Sequence, residues 1–487
     1  LTAKDYEPTQ HEKEIFTRIA NVRKDHKGPL IVIGGPPCQA YSVNGRNRQK
    51  KEKDYKPEND ERFFLYQEYL KVLEAADPDC FVMENVEGIL TAKLADGELI
   101  FNRIKRALAM PDKKNKEQYD IYSLAIKPEM RATDSSGPIY SDDHNYVITA
   151  SDFGVPQERK RVILFGIKRK HQPVSSFMEV TTPENTPVIR ELIGTLPRLR
   201  SGISKKTDGP DTVEQWITNW ESNRTELIRI LSNNREKKKV VQRLISKEQK
   251  ERKKSKKPDL SAKELRKKEV KYTKQVSLSF EKTLNQVSKL KVKEPAGNEG
   301  ASKGNDYFIP LGKNFTPFES TFRKKYKELY SWLYRDIGGL ANHMTRGHMK
   351  EDLKRYMFSA SWAKAHSSTD SPSPKSKDYP MALTPKHKNW ESGNHADRFR
   401  TIEADMIPLT ITSHLRKDGH AQIHYDTTQN RSLTVREAAR IQTFPDDYYF
   451  EGKQGWQFQQ VGNAVPPYLA KQIALYVWGI LKDKKLV

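Results

Sequence analysis

Apolar positions along the chain recur with two different periods, and the changes of period mark its organisation. In residues 11–24, Ile15, Ile19 and Val22 return at helical spacing with charges between them, which predicts an amphipathic helix. LIVIGG at 30–35 is a short unbroken apolar run, the pattern of a strand buried on both faces of a parallel sheet. A helical pattern at 62–76, a second buried strand CFVMEN at 80–85, a helix at 97–110 and strands at 146–154 and 161–167 continue the alternation. Strands separated by helices of this length predict βαβ units and an α/β fold with a doubly wound sheet.

Residues 171–405 lose that rhythm. Pro, Ser and Asn are frequent, and Trp216, Trp220, Trp332, Trp362 and Trp390 are scattered. From 406 onward α/β character returns, with strands expected at 406–413 and 421–426 and helices at 433–444 and 466–483. The last helix opens on proline, where a missing N–H costs nothing. The expected organisation is an α/β domain made of 1–170 and 406–487, with a smaller mixed domain, 171–405, inserted between its halves.

Composition narrows the function classes. The 487 residues allow roughly three domains, or two with insertions. Lys and Arg number 86 against 63 Asp and Glu, a net charge of +23 that favours an anionic partner, nucleic acid first. Residues 235–274 hold 18 Lys and Arg against 6 acids, with thin apolar content in Ile245, Leu260, Leu265 and Val270. Two readings of that stretch stand side by side: a solvated helical pair or partly disordered insertion, and an arm whose lysines contact phosphates without specifying sequence. No run of about 18 apolar residues predicts a membrane-spanning helix. The first residues lack a signal-peptide layout, and two cysteines make no disulfide framework or Cys-rich zinc site. A cytosolic protein is expected.

The candidate chemistry sits where predicted strands end. Gly34-Gly35-Pro36-Pro37-Cys38-Gln39 follows directly on a strand, at the edge where open α/β sheets place their active sites. The glycines allow close backbone approach, and the prolines fix the loop that presents the Cys38 thiol. Cys80, inside an apolar strand, is expected to be core. Glu84-Asn85-Val86 ends the next strand, so that a carboxyl at the same sheet edge could protonate a ring nitrogen; a helix N-terminal charge is the plainer reading of Glu84 alone. In Gln157-Glu158-Arg159-Lys160-Arg161, alternating Arg159 and Arg161 put two guanidiniums on one face of an extended segment, suited to a phosphate or a base oxygen. His414, Asp418, His420 and His424 lack rigid ligand spacing, and no metal is expected there.

These motifs, followed by REAARIQTFP at 436–445 and QVGNAVPP at 460–467, resemble the DNA cytosine-5 methyltransferases of bacterial modification systems. Five motifs stand in the family's order across 30–170 and 405–485. The resemblance implies a Rossmann-like methyltransferase sheet and transfer of methyl from S-adenosylmethionine to C5 of a flipped cytosine in double-stranded DNA. It implies Cys38 as the nucleophile at C6 and Glu84 as the group at N3. Arg161 is implied to contact the flipped base, and Arg159 to support the cysteine loop. Pro37 and Asn85 would shape the proline–cysteine turn, and Gln39 and Ser42 would lie on a loop that closes over DNA, continuing through the basic stretch 46–53. Leu65, Asn463 and Val465 would border the cofactor. Arg436, Glu437 and Arg440 would be architectural, and 171–405 would recognise the target sequence. A bacterial cytoplasmic enzyme associated with the nucleoid is implied, acting as the modification half of a restriction–modification system, with no membrane and no metal.

The family's opening Phe-x-Gly-x-Gly loop, and the acidic residues after it, are not found here. The expectation is a chain that is the remainder of a longer one. Two alternatives are a complementary subunit carrying the missing part, and a remnant that binds DNA without methylating it. Without its neighbour, the strand LIVIGG would present an apolar edge.

Overall fold

The computed structural model describes residues 9–37, 65–94, 96–111, 119–130, 137–171, 174–181, 185–292, 304–305, 308–311, 315–369, 372–385, 390 and 398–487. They form two compact units. The first comprises residues 1–154, 158–183 and 468–487, and the second 155–157 and 184–467. The chain therefore rejoins the first unit at Tyr468 rather than at 406, because 406–467 packs within the second.

In the first unit, α1 (Gln10–Asp25) leads to β1 (Ile31–Gly34), α2 (Tyr66–Ala76), β2 (Cys80–Val86), α3 (Ile100–Ala109), β3 (Tyr119–Tyr122), β4 (Val147–Thr149) and β5 (Lys160–Lys168). The strand order is β1-β2-β5-β3, with β4 also on β5. β1 and β2 are parallel and joined through α2, a βαβ crossover. β5 is antiparallel to β2, β3 and β4, so the sheet is mixed rather than wholly parallel. The reason is local. The ten residues between β4 and β5 hold a 3-10 turn over Ala150–Phe153, closed by Gly154 at φ 71°, and no helix to carry a crossover.

Phe81, Met83, Val162 and Leu164 share a core with Tyr69 and Leu73 of α2 and Phe101 and Ile104 of α3. Phe165, one residue on, meets Tyr476 of the helix Pro467–Asp483 edge to face at 6.1 Å. Helices thus cover both sides of the sheet, as a doubly wound pattern requires. Gly166 is opposed to Phe81 in the ladder, where a Cβ would stand 2.2 Å from the ring.

β1 departs from the expectation of burial on both faces. Among the described residues it pairs on one side only, and Ile33 is 74% exposed. α1 packs against α2 but buries no residue, and Ile15 and Val22 stay exposed.

In the second unit, α4 (Val213–Ser232), α5 (Asn234–Lys254), α6 (Ala262–Lys289) and α7 (Lys350–Ala365) pack around Trp216, Trp220, Phe280, Trp362 and Trp390. The basic stretch is thus an ordered helical hairpin. α8 (Val435–Ile441) appears where a helix was expected, and α9 (Gln454–Asn463) forms where none was. The strands expected at 406–413 and 421–426 do not form: a 3-10 turn occupies Ser413–Arg416, and Ile423 makes isolated bridges to Thr401 and Ser432.

Candidate active site

The register of β2 on β5 decides which side chains meet. Glu84 opposes Ile163, Asn85 opposes Val162 and Val86 opposes Arg161. Side chains alternate along a strand, so Glu84 and Arg161 share a face as a diagonal pair, within reach for long side chains. The Arg161 Nε–H donates to Glu84 Oε1 at 2.8 Å, with the two side chains 16% and 23% exposed. Glu84 Oε2 lies beside Gly35, where a Cβ would come within 3.1 Å of it. One carboxylate oxygen is therefore held by a guanidinium, and the other borders the loop that leads to Cys38.

Asn85 turns to the other face and is buried. Its Nδ2 donates to the Pro36 carbonyl at 3.3 Å, and its Oδ1 accepts from the Val86 N–H at 2.9 Å. At the opposite end of β1, Asp79 Oδ2 accepts from the Leu30 N–H at 2.9 Å. Both ends of the strand feeding the loop are tied to β2. Pro37 is exposed. Cys38, Gln39 and Ser42, with the basic stretch 46–53, lie outside the described residues.

Cys80 is fully buried, and burial pushes its thiol up to about 12, which makes it an inert core residue. Arg159 immediately precedes β5, is buried, and accepts the Ala150 N–H on its carbonyl. Leu65 stands half-buried at the N-cap of α2.

The remaining predicted residues belong to the second unit. Asn463 ends α9 exposed, and Val465 is half-buried. Gly462, the penultimate residue of that helix, packs so closely that a Cβ would lie 2.2 Å from the Ser413 nitrogen. Arg436 donates to the carbonyls of Ala341, Pro445 and Tyr448, and Arg440 forks onto Asp446. Glu437 takes both ends of the Arg431 fork at 2.7 Å. Burial opposes the Glu437 charge, yet Arg431 holds that carboxyl well below its ordinary range. All three are built into the core, in keeping with an architectural role.

Two residues that sequence reasoning passed over join these motifs. Gln442 Nε2 donates to the carbonyls of Val461 and Ala464, fixing the GNAV turn, while its Oε1 accepts from Gln157 Nε2 at 2.7 Å. Gln157 Oε1 in turn accepts from the Ile411 N–H at 2.7 Å. Their one signal in the sequence is a glutamine inside each motif. Among the described residues no group of three or more His, Cys, Asp or Glu is placed to hold a metal, and no helix is long and apolar enough to cross a membrane. His420 meets the Tyr356 hydroxyl, and His424 is buried beside Glu437.

Comparison with known proteins agrees with these motifs. The model of the C-5 cytosine-specific DNA methylase family matches residues 3–302 and 313–477. The type II methyltransferase M.Bpa9945I of Bacillus paralicheniformis is 30% identical over 453 residues, 93% of this chain and 70% of that one. The type II methyltransferase M.AgeI of Thalassovita gelatinovora is 24% identical over 91% of this chain and 81% of its own length. A solved prophage-encoded chain from E. coli, assigned to DNA modification methyltransferases, aligns with 96% of this chain and 83% of that one, at a TM-score of 0.45 and 16% identity.

Proposed function

Because the chain belongs to the C-5 cytosine-specific DNA methylase family, we propose that Cys38, Glu84 and Arg161 together methylate a cytosine flipped out of double-stranded DNA. The observation that carries this reading is the Glu84 carboxylate, clamped by Arg161 on one oxygen and bordering Gly35 with the other, three residues from Cys38.

Cytosine C5 is a weak nucleophile until another group adds to C6. The Cys38 thiolate forms a bond to C6, and the displaced electron pair is drawn toward N3, where Glu84, in its protonated carboxylic-acid form, donates a hydrogen bond or a proton. S-adenosylmethionine supplies an electrophilic methyl group when bound. C5 would take that methyl group, leaving S-adenosylhomocysteine, and would then lose its proton to a base as the C6–S bond breaks, which returns the thiolate, gives the N3 proton back to Glu84 and releases 5-methylcytosine. The target base must first leave the stack, at a cost of about a few kcal/mol. Arg161 keeps the carboxylate oriented and contacts the base, and Arg159 supports the cysteine loop. Asn85, by tying Pro36, fixes where the Pro37-Cys38 turn begins, with Gln39 and Ser42 on the loop beyond. Exposed Asn463 and half-buried Val465 suit the methionine end of the methyl donor, and Leu65 is taken as a separate contact to that donor. Residues 171–405 read the target sequence, and the enzyme serves a restriction–modification system, as the names of its relatives suggest.

A second reading rests on Ile33, exposed on the unpaired side of β1. A preceding segment, or a complementary subunit, completes the sheet and the cofactor site.

The test is transfer of labelled methyl from S-adenosylmethionine to unmethylated mixed-sequence DNA. The chain is compared with Cys38→Ala and Glu84→Gln. Transfer is expected to vanish in the first and to fall about 10²–10⁴-fold in the second. Normal turnover by Cys38→Ala sinks the mechanism. Transfer that appears only after a completing segment is added supports the second reading.

A further inference from the structure

We propose that the distal half of the α5–α6 hairpin is a sequence-independent clamp on the DNA backbone. The proposal rests on the reading that duplex DNA is the substrate, and adds a contact surface to it.

The hairpin has two parts. Its base is core: Val240 and Val241 of α5 and Val276, Phe280 and Val287 of α6 are buried with the tryptophans of α4 and α7. Beyond them, residues 246–275 bury only Leu260. This arm is nevertheless held in shape. Lys268 reaches across to Glu248 at 2.6 Å, and the Tyr272 hydroxyl donates to the same carboxylate. Arg252 donates to the Pro258 carbonyl at 2.9 Å, and Ser261 with Glu264 forms a capping box on α6.

Those ties engage a larger share of the acids than of the bases. The arm holds thirteen Lys and Arg against five Asp and Glu. Glu248 and Glu264 are engaged inside the hairpin, and Glu251 pairs with Lys247. Half-buried Leu265, Lys268 and Tyr272 mark the inner face of α6. Lys263, Lys267 and Lys274 lie opposite them in exposed positions, with Arg266 and Lys271 on either flank. Lys263 and Lys267 are one turn apart, about 6 Å along the axis. At the tip, Lys253, Lys254, Lys256 and Lys257 are all exposed, and Lys256 sits at φ 54°, a conformation that glycine or asparagine would occupy more easily.

A polar arm needed only for solubility would intersperse both signs. This one engages three of its five carboxylates internally and leaves most of its ammonium groups facing solvent from a stiffened frame. Ammonium groups on flexible stems bind phosphates as point charges and do not read bases. The large cavity of the same unit, about 1050 Å³, carries four cations against four carboxylates and offers no comparable surface to a polyanion.

The test compares the intact chain with a variant carrying Lys253→Gln, Lys254→Gln, Lys256→Gln, Lys257→Gln, Lys263→Gln and Lys267→Gln, all exposed and replaced by a good helix former. Duplex affinity is measured between 50 and 200 mM salt on several sequences. Each lost phosphate contact removes about 0.9 from the slope of log K against log salt, so the slope is expected to fall by roughly 3–5. Affinity is expected to drop to the same extent on every sequence, with turnover at saturating DNA unchanged. A second variant, Asp259→Asn with Glu269→Gln, is expected to bind several-fold tighter and guards against a folding artefact in the first. An unchanged slope, a changed ranking of sequences, or a loss seen on anionic phospholipid vesicles but not on DNA overturns the clamp. Methyl transfer separates the two ideas. Normal transfer with an unchanged slope removes only the clamp, and a lowered slope without transfer by the parent removes only the methylation reading.

Discussion

Arg161 holds the carboxylate of Glu84 from the neighbouring antiparallel strand, one diagonal step from the directly opposed position, at 2.8 Å. The ladder makes this pair: a shift of β5 by one residue would send Arg161 to the other face. Arg161→Ala is expected to cut kcat by about 10²-fold, on the scale of losing one positioned donor, while DNA affinity changes less than tenfold. Arg161→Lys is expected to recover only part of the loss, because a flexible amine does not reproduce the fixed guanidinium. Single-turnover rates measure this. A rate for Arg161→Ala within twofold of the parent would show that Glu84 needs no such partner.

Asn85 is the only described side chain donating to the Pro36 carbonyl. Asn85→Ala leaves that carbonyl short of a donor and is expected to cost about 1–2 kcal/mol of stability. Pro36, two residues before Cys38, loses its tether with it, so kcat should fall with KM for DNA little moved. Denaturant melts and steady-state kinetics on the same preparation check both halves. A proportionate rise in KM would assign Asn85 to substrate binding instead.

Gly462 tolerates no side chain. A Cβ there would meet the Ser413 nitrogen at 2.2 Å and the Thr412 carbonyl carbon at 2.4 Å, both backbone atoms. Gly462→Ala is expected to destabilise the second unit by about 1–3 kcal/mol through overpacking, and thermal melts report it. An unchanged Tm would mean the 412–416 turn moves aside without cost.

His343 and His424 make the second unit acid-sensitive. His343 Nε2 faces the Pro197 carbonyl at 2.9 Å and must donate to it, leaving Nδ1 to accept from the Thr434 hydroxyl. His424 Nδ1 accepts the Asp426 N–H at 3.0 Å. Burial above all lowers both imidazoles to about 4, against about 6.5 in an unfolded chain. The unfolded chain therefore binds protons more readily. Stability is complete above about pH 6.5 and is lost as pH falls toward 4, by up to about 3 kcal/mol for each residue. Urea unfolding at pH 7, 6 and 5 follows this loss, and a flat profile would mean that neither ring is held neutral.

The first unit was largely legible because its core follows the two hydrophobic periods: β2, β5, α2 and α3 fall where LIVIGG-type runs and helical spacing put them. The antiparallel sense of β5 was not, since it depends on a missing helix between β4 and β5 rather than on either strand's own residues. The exposure of Ile33 was not legible from its apolar run, which reports tendency to be buried and not the presence of a neighbour. At 406–426 the apolar residues misled. Ile411 and Ile423 are buried, but the Ile411 N–H is satisfied by Gln157 and not by an adjacent strand. Backbone groups paired by side chains from 254 residues away leave no periodic trace. Glu84 and Arg161 stood out as motif residues, while their diagonal contact required the register.

Gln472 donates to the Phe153 carbonyl, and the Tyr476 hydroxyl donates to that of Ser176, across 319 and 300 residues of sequence. During synthesis at about 5–20 residues per second, the face of the sheet bearing Phe165 waits some 15–60 s for the helix that covers it. The second unit is made almost entirely within that interval. The birth order of the chain thus sets its folding order: the second unit can close on the ribosome first, while the unit bearing Glu84 stays open until Pro467–Asp483 emerges. Protease digestion of ribosome-arrested chains halted before Tyr468 is expected to cut the first unit and spare the second, and the reverse pattern would refute that order.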